Sequence, residues 1–198
     1  MNTGGIVLCG GKSARMGSSK ALLPFGPETM LQRVVRLLSE VVSPIVVVAA
    51  VDQQLPELPP GVIVTRDERE GRGPLEGLRA GLNALPAHID AAYVTSCDVP
   101  LLVPAFVRQM LDLADGYDVA VIENDGFAHP LSAVYRRATL PYIEELLAHD
   151  RLRPAFLFDA VKTRRISPAQ ITADLQLRTL RNLNTREDYE RALAEAGL

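Results

Sequence analysis

The sequence predicts an α/β fold in which a mostly parallel central sheet carries helices on both faces. Three observations lead there. Short β-branched apolar runs alternate along the chain with longer segments of helical spacing. Several of the short runs are apolar on both faces, as strands covered by helices on either side must be. The 198 residues are 47% hydrophobic, which suits one compact domain with a sizeable core.

The elements follow in order. Residues 5–9 (GIVLC), 44–50 (PIVVVAA), 61–65 (GVIVT) and 91–96 (AAYVTS) read as buried strands. Between the first two, residues 29–41 place Met30, Leu31, Val34, Val35, Leu37 and Leu38 on one side, with Gln32, Arg33 and Arg36 opposite. That is helical spacing, and Thr29 suits its N-cap. Residues 75–85 and 103–114 are further helices, so strand and helix alternate and the sheet is predicted to be mainly parallel. In the second half, residues 117–123 and 130–135 read as strands. The latter is expected to be antiparallel or near an edge because Pro130 leads it. Residues 140–150 and 185–197 are amphipathic helices, and Thr185 with Asp188 resembles a capping box.

Bulk properties exclude several classes. A net charge of −3 argues against a general nucleic-acid binder, which needs a basic face. No run approaches the roughly 18 apolar residues of a membrane span. The apolar stretch 6–9 is too short for a signal peptide and follows glycines, so the expected compartment is the cytoplasm. Cys9 and Cys97 cannot make a zinc site by themselves and read as buried structural thiols.

In a parallel sheet, ligands bind beyond the carboxyl ends of the strands, so chemistry is sought just after each apolar run. After the first come Gly10, Gly11, Lys12, Ser13, Ala14, Arg15, Met16 and Gly17, then Lys20. The tempting "GKS" is not a Walker A loop, because the glycine it requires would fall at position 6, where Ile6 stands. The dinucleotide pattern G-x-G-x-x-G also fails, since the available glycines are 10, 11 and 17. What remains is a Gly-Gly turn whose backbone N–H groups could approach an anion, with Arg15 and Lys20 as cations. A solvated surface loop is the competing local reading.

Two further stretches carry similar pairs of readings. Asp67 follows a strand, and Gly73-Pro74-Leu75 leads through Gly77 into a helix. That start either presents N–H groups to a ligand or simply begins a helix well. Asp98 ends a buried strand, where a carboxylate either binds Mg²⁺ together with phosphate oxygens or caps the next helix.

The residues "LCGGKSARMGSSKALLPFG" match the signature of nucleotidyltransferases that activate sugars, lipids or pterins, with Gly10, Gly11, Arg15, Met16, Gly17 and Lys20 in register. With "GPLEG", "CDVP" and the late "NLNTRED" in the same order, the chain resembles the molybdenum cofactor guanylyltransferase family, MobA, over nearly its whole length. The weakest match lies between residues 136 and 178. The resemblance implies a three-layer, Rossmann-like nucleotidyltransferase fold forming a single domain over residues 1–198, with GTP as nucleotide and Mg²⁺ as cofactor.

It also implies roles. Leu8, Cys9, Gly10 and Gly11 would line the nucleotide, Lys20 would hold GTP, and Asp67 would help position the nucleoside. Asp98 would bind Mg²⁺, with Arg15 and Lys20 neutralising charge on the triphosphate. Asn182 and Asn184 would face the pterin, and His129 is either a substrate-side contact or a structural loop histidine. Two departures stand out: Cys9 replaces a more usual alanine, and the family asparagine after the second strand has no match in "AAVDQQ". Asp52 is nearest, and that role stays unassigned.

The implied reaction is attack of the terminal phosphate of molybdopterin, or of its molybdenum-bearing form, on the α-phosphorus of GTP, with loss of pyrophosphate. Cofactor-delivery proteins or molybdoenzymes are possible partners; nucleic acid and membrane are not expected ones. The competing functions are a CTP-dependent cytidylyltransferase of the same fold and a non-catalytic nucleotide-binding cofactor-delivery protein.

Overall fold

The computed structural model describes residues 1–10, 19–67, 69 and 71–198. Its main sheet has seven strands, β1 (Thr3–Leu8), β4 (Ile45–Ala50), β5 (Ile63–Asp67), β6 (Ala91–Ser96), β7 (Val119–Asn124), β8 (Phe127–Arg136) and β9 (Thr163–Ile166). A short antiparallel hairpin, β2 (Pro24–Phe25) with β3 (Glu28–Thr29), stands apart from it. Six α-helices complete the fold among the described residues: α1 (Met30–Ser39), α2 (Pro74–Ala84), α3 (Pro104–Leu113), α4 (Leu140–Ala148), α5 (Pro154–Ala160) and α6 (Arg186–Glu195).

The strand order is β5-β4-β1-β6-β8-β7-β9. The four strands β5, β4, β1 and β6 run parallel, whereas β8 pairs antiparallel with both neighbours. From β1 the chain moves outward to β4 and β5, then returns to lay β6 on the other side of β1. The switch point therefore lies between the carboxyl ends of β1 and β6.

Helices cover both faces, so β1, β4 and β6 are buried almost throughout. On one face, Leu31, Val34 and Leu38 of α1 and Phe106, Val107 and Met110 of α3 pack on Val7, Val47 and Tyr93. On the other, Leu75, Leu78 and Leu82 of α2 join residues of α4 and α5 against Ile6, Val48 and Val94. Approach of α2 to β1 is close: a Cβ at Gly81 would sit 2.6 Å from the Ile6 side chain. A third, smaller cluster of Phe25, Met30, Leu101, Leu183 and Ala192 seats α6 against the β2–β3 hairpin.

Local chemistry sets the helix starts. Thr29 and Gln32 form a reciprocal capping box at α1, as Thr185 and Asp188 do at α6. Pro74 occupies the first turn of α2, after Gly73 with φ +71°, a conformation costly for any residue bearing a Cβ.

One strand expectation needs correction. Residues 61–65 do not form a buried strand: β5 is an edge strand with alternating exposure, and Val64 faces solvent. Residues 130–135 lie in an antiparallel strand, as expected, but not near an edge, since β8 sits between β6 and β7. Pro130 is tolerated because it precedes the stretch paired to β6, which begins at Ala133, and falls at the bulge in the β7 pairing.

Candidate active site

The carboxyl ends of β1, β4, β5 and β6 bring together Leu8–Gly10, the turn after Ala50, Asp67 and Asp98. Beside this edge, α2 begins after Gly73. The site thus forms where the strand order reverses.

Its centre is an ionic junction. Lys20 Nζ donates to Asp98 Oδ2 at 2.7 Å and to Asn184 Oδ1 at 2.9 Å. The lysine and aspartate side chains are only 16% and 15% exposed, so the pair is partly shielded from solvent screening. Ser96, two residues before Asp98, donates its hydroxyl to Asp98 Oδ1. The aspartate loop is fixed by its neighbours. Leu183 N–H donates to the Asp98 carbonyl at 2.9 Å, and Arg33 Nε of α1 donates to the Pro100 carbonyl at 2.9 Å. The α6 capping box reaches the same place, because Asp188 Oδ2 accepts from the Asn184 N–H as well as from that of Thr185.

Other expected residues fall around this junction. Leu8 and Cys9 are buried and Gly10 is exposed. The Leu8 carbonyl accepts from Cys97 N–H at 3.1 Å, and Cys9 N–H donates to the Val48 carbonyl at 2.8 Å. Main-chain pairing thus holds the first two firmly, and Gly10 is where the backbone emerges. Asp67 closes β5 opposite Ala50, and its Oδ1 accepts from Arg69 N–H. His129 lies on the part of β8 that overhangs the carboxyl end of β6, half-buried, with its imidazole pKa lowered by burial. Asn182 is exposed, one residue before the Leu183 anchor. Arg15 and Gly11 lie outside the described residues.

Cys9 and Cys97 are free and buried, side by side at the switch point. The hydrogen bond with Cys97, reinforced by burial, pushes the Cys9 thiol well above its ordinary range and keeps it protonated.

The model of the MobA-like NTP transferase domain matches residues 5–164. The chain belongs to the MobA-like NTP transferase family. Within reach of it, a probable molybdenum cofactor guanylyltransferase of Mycobacterium avium is 39% identical over 200 residues, covering 99% of this chain and 97% of that protein. A probable molybdenum cofactor guanylyltransferase of Carboxydothermus hydrogenoformans is 35% identical, covering 94% of this chain and 93% of that one. Among solved structures, the molybdopterin-guanine dinucleotide biosynthesis protein A of Archaeoglobus fulgidus superposes with a TM-score of 0.79 at 19% identity, covering 100% and 99% of the two chains, and shares the fold.

In this NTP transferase family member the candidate site also contains residues the motif did not mark. Ser96 shares the Asp98 carboxylate, and its only sequence signal is its place two residues earlier, at the end of β6. Gln53 and Arg66 bond around the turn after β4, and neither lies in a pattern that sequence spacing would flag.

Proposed function

We propose that this NTP transferase moves GMP from GTP to molybdopterin, or to its molybdenum-bearing form, releasing pyrophosphate and leaving a guanine dinucleotide cofactor. The carrying observation is the junction of Lys20, Asp98 and Asn184 at the switch point, which joins the glycine signature, "CDVP" and "NLNTRED" in one place. The near-full-length likeness to proteins named as guanylyltransferases selects guanine as the base.

The chemistry follows from charge. An oxygen of the acceptor's terminal phosphate attacks the α-phosphorus; that P–O bond forms as the bond to the β-phosphate oxygen breaks. The attacking phosphate is already ionised, so positioning and charge neutralisation do the work and no protein base is needed. Lys20 uses two of its three N–H donors on Asp98 and Asn184, which leaves one for a phosphate oxygen. Arg15 takes a second cationic role from its place in the signature, and Gly10 with Gly11 brings backbone to the nucleotide. Leu8 and Cys9 underlie it, Asp67 positions the nucleoside, and Asn182, Asn184 and His129 face the pterin.

The donor set at Asp98 suits Mg²⁺ held jointly with the triphosphate. One carboxylate oxygen already faces a cation, the Lys20 ammonium, while no cluster of three or more His, Cys, Asp or Glu exists among the described residues. Mg²⁺ is satisfied by one or two carboxylates plus phosphate oxygens, so Asp98 would hold it. Bound there, the ion supplies further charge neutralisation on the triphosphate.

We take residues 1–198 as one nucleotidyltransferase domain acting in the cytoplasm, where Cys9 and Cys97 stay reduced. No helix among the described residues is long and apolar enough to cross a membrane. Cofactor-delivery proteins or molybdoenzymes are the partners to which the product would pass.

The test is a nucleotide panel: the purified chain with molybdopterin, Mg²⁺ and either GTP or CTP, followed by mass analysis of the pterin product. The guanine dinucleotide is expected. Incorporation from CTP alone overturns the assignment.

A further inference from the structure

Gln53 joins three stretches of chain that sequence separates widely. Its Oε1 accepts from the Ala50 N–H at 3.1 Å, at the end of β4. Its Nε2 donates to the Cys9 carbonyl at 3.0 Å and to Ser19 Oγ at 3.2 Å. A primary amide has two N–H donors, and both are used on protein acceptors. Gln53 is therefore spent on the protein and has no donor left to read a base or a phosphate.

Its two acceptors adjoin the residues that matter. Cys9 precedes Gly10, and Ser19 precedes Lys20, so one side chain anchors the chain at both places. The backbone carrying Gln53 is held in turn. Arg66 Nη1, from β5, donates to the carbonyls of Ala50 and of Gln53, each at 2.8 Å. Arg66 itself immediately precedes Asp67. A continuous set of hydrogen bonds thus links the edge strand, the turn after β4, the exit of β1 and the approach to Lys20.

We propose that Gln53, backed by Arg66, is a positioning residue that sets where Gly10 and Lys20 stand relative to each other, and so governs nucleotide binding without touching the nucleotide. The inference rests on the nucleotide site assigned above. It predicts a selective effect, because the acceptor side hangs on different bonds: Leu183 to the Asp98 carbonyl, and Asp188 to the Asn184 backbone. A residue that merely stabilised the turn would lower stability and leave the two substrates' KM values in their original ratio.

The experiment uses the full chain, with the nucleotide and molybdopterin varied separately and nucleotide dissociation constants measured directly by calorimetry. Gln53→Glu keeps the side chain's size and its acceptor for Ala50, but sets a carboxylate oxygen against the Cys9 carbonyl. Losing the two Nε2 bonds is expected to raise the nucleotide KM and Kd about tenfold. The acceptor KM is expected to stay within about twofold. Arg66→Lys keeps the charge but places it on a single nitrogen without the planar guanidinium fork, and its nucleotide KM is expected to fall between wild type and Gln53→Glu. A nucleotide Kd within twofold of wild type in Gln53→Glu overturns the proposal, as does an equal rise in both KM values. Should Gln53→Glu fail to fold, Arg66→Lys decides on the same split. A wild-type preference for CTP would overturn the guanylyl assignment alone, since the positioning role is then read with CTP.

Discussion

The Lys20 ammonium is placed by two oxygens from distant parts of the chain, Asp98 and Asn184. A lysine so held behaves as a prepositioned point charge and loses less rotamer freedom on binding a phosphate than a free surface lysine would. Removing it takes away a charge-assisted bond to the triphosphate. Lys20→Ala is therefore expected to weaken GTP binding roughly ten- to a hundredfold, measured as a Kd. Asp98→Asn keeps the Ser96 and Lys20 neighbours but removes the negative charge. It is expected to lower kcat by about a hundredfold or more, read in single-turnover assays. If both variants retain full activity, the site lies elsewhere. The glycine signature marked Lys20 and the "CDVP" stretch marked Asp98, yet their contact depends on packing. Ser96 and Gln53 carry no such mark, because a serine in a strand and a glutamine in a turn are chemically ordinary until their partners are known.

Among the elements, α2 holds a buried charge that its amphipathic pattern does not announce. Glu76, in the first turn, has a side chain 1% exposed and receives Arg79 Nε at 2.9 Å. Arg72 Nε stands 3.7 Å from its other oxygen, while Arg72 Nη2 donates to the Leu147 carbonyl at the end of α4. The carboxylate thus keeps two arginines in place where α2 meets α4. Glu76→Ala strips both of their partner, and breaking a buried pair from one side is costly. We expect a loss of about 3 kcal/mol, the low end for such pairs because both arginines retain water contact, seen as a lower urea midpoint. An unchanged midpoint would show that water replaces the carboxylate without loss.

Element by element, sequence and structure agree where spacing reports burial directly. The caps at Thr29 and Thr185 and the helices they begin were legible because capping is a contact between residues three apart. α5 and β9 were not. α5 has seven residues with Phe156, Leu157 and Phe158 in a row, too short to show a period. β9 reads TRRI, and its Arg165 is tolerated in a strand because it bonds Glu123 of β7 at 2.8 Å. The exposure of β5 was hidden for the opposite reason: its residues are apolar enough for a core, but the strand order leaves it at the edge.

For the molecule as a whole, His129 supplies a pH dependence. Burial lowers its pKa from the usual 6.5, so the unfolded chain binds a proton more readily than the folded one. Between the two values the unfolded state carries more protons, and stability rises with pH. The contribution is complete above the unfolded value and is lost as pH falls through the folded one. The melting temperature is expected to drop on acidification below about 6.5, and His129→Gln is expected to flatten that part of the profile. Identical profiles for the two proteins would remove His129 as the cause.

The sequence by itself determined the α/β class, the parallel half of the sheet, and the family signature, because those features are written in residues close together along the chain. Only the tertiary structure decided that Lys20 meets Asp98 and Asn184, that β8 lies inside the sheet, and that Gln53 ties Cys9 to Ser19. Periodicity tells a residue which face it occupies. Which distant residue stands opposite depends on strand order and crossover, and in this fold the reversal between β1 and β6 brings the scattered motifs to one edge.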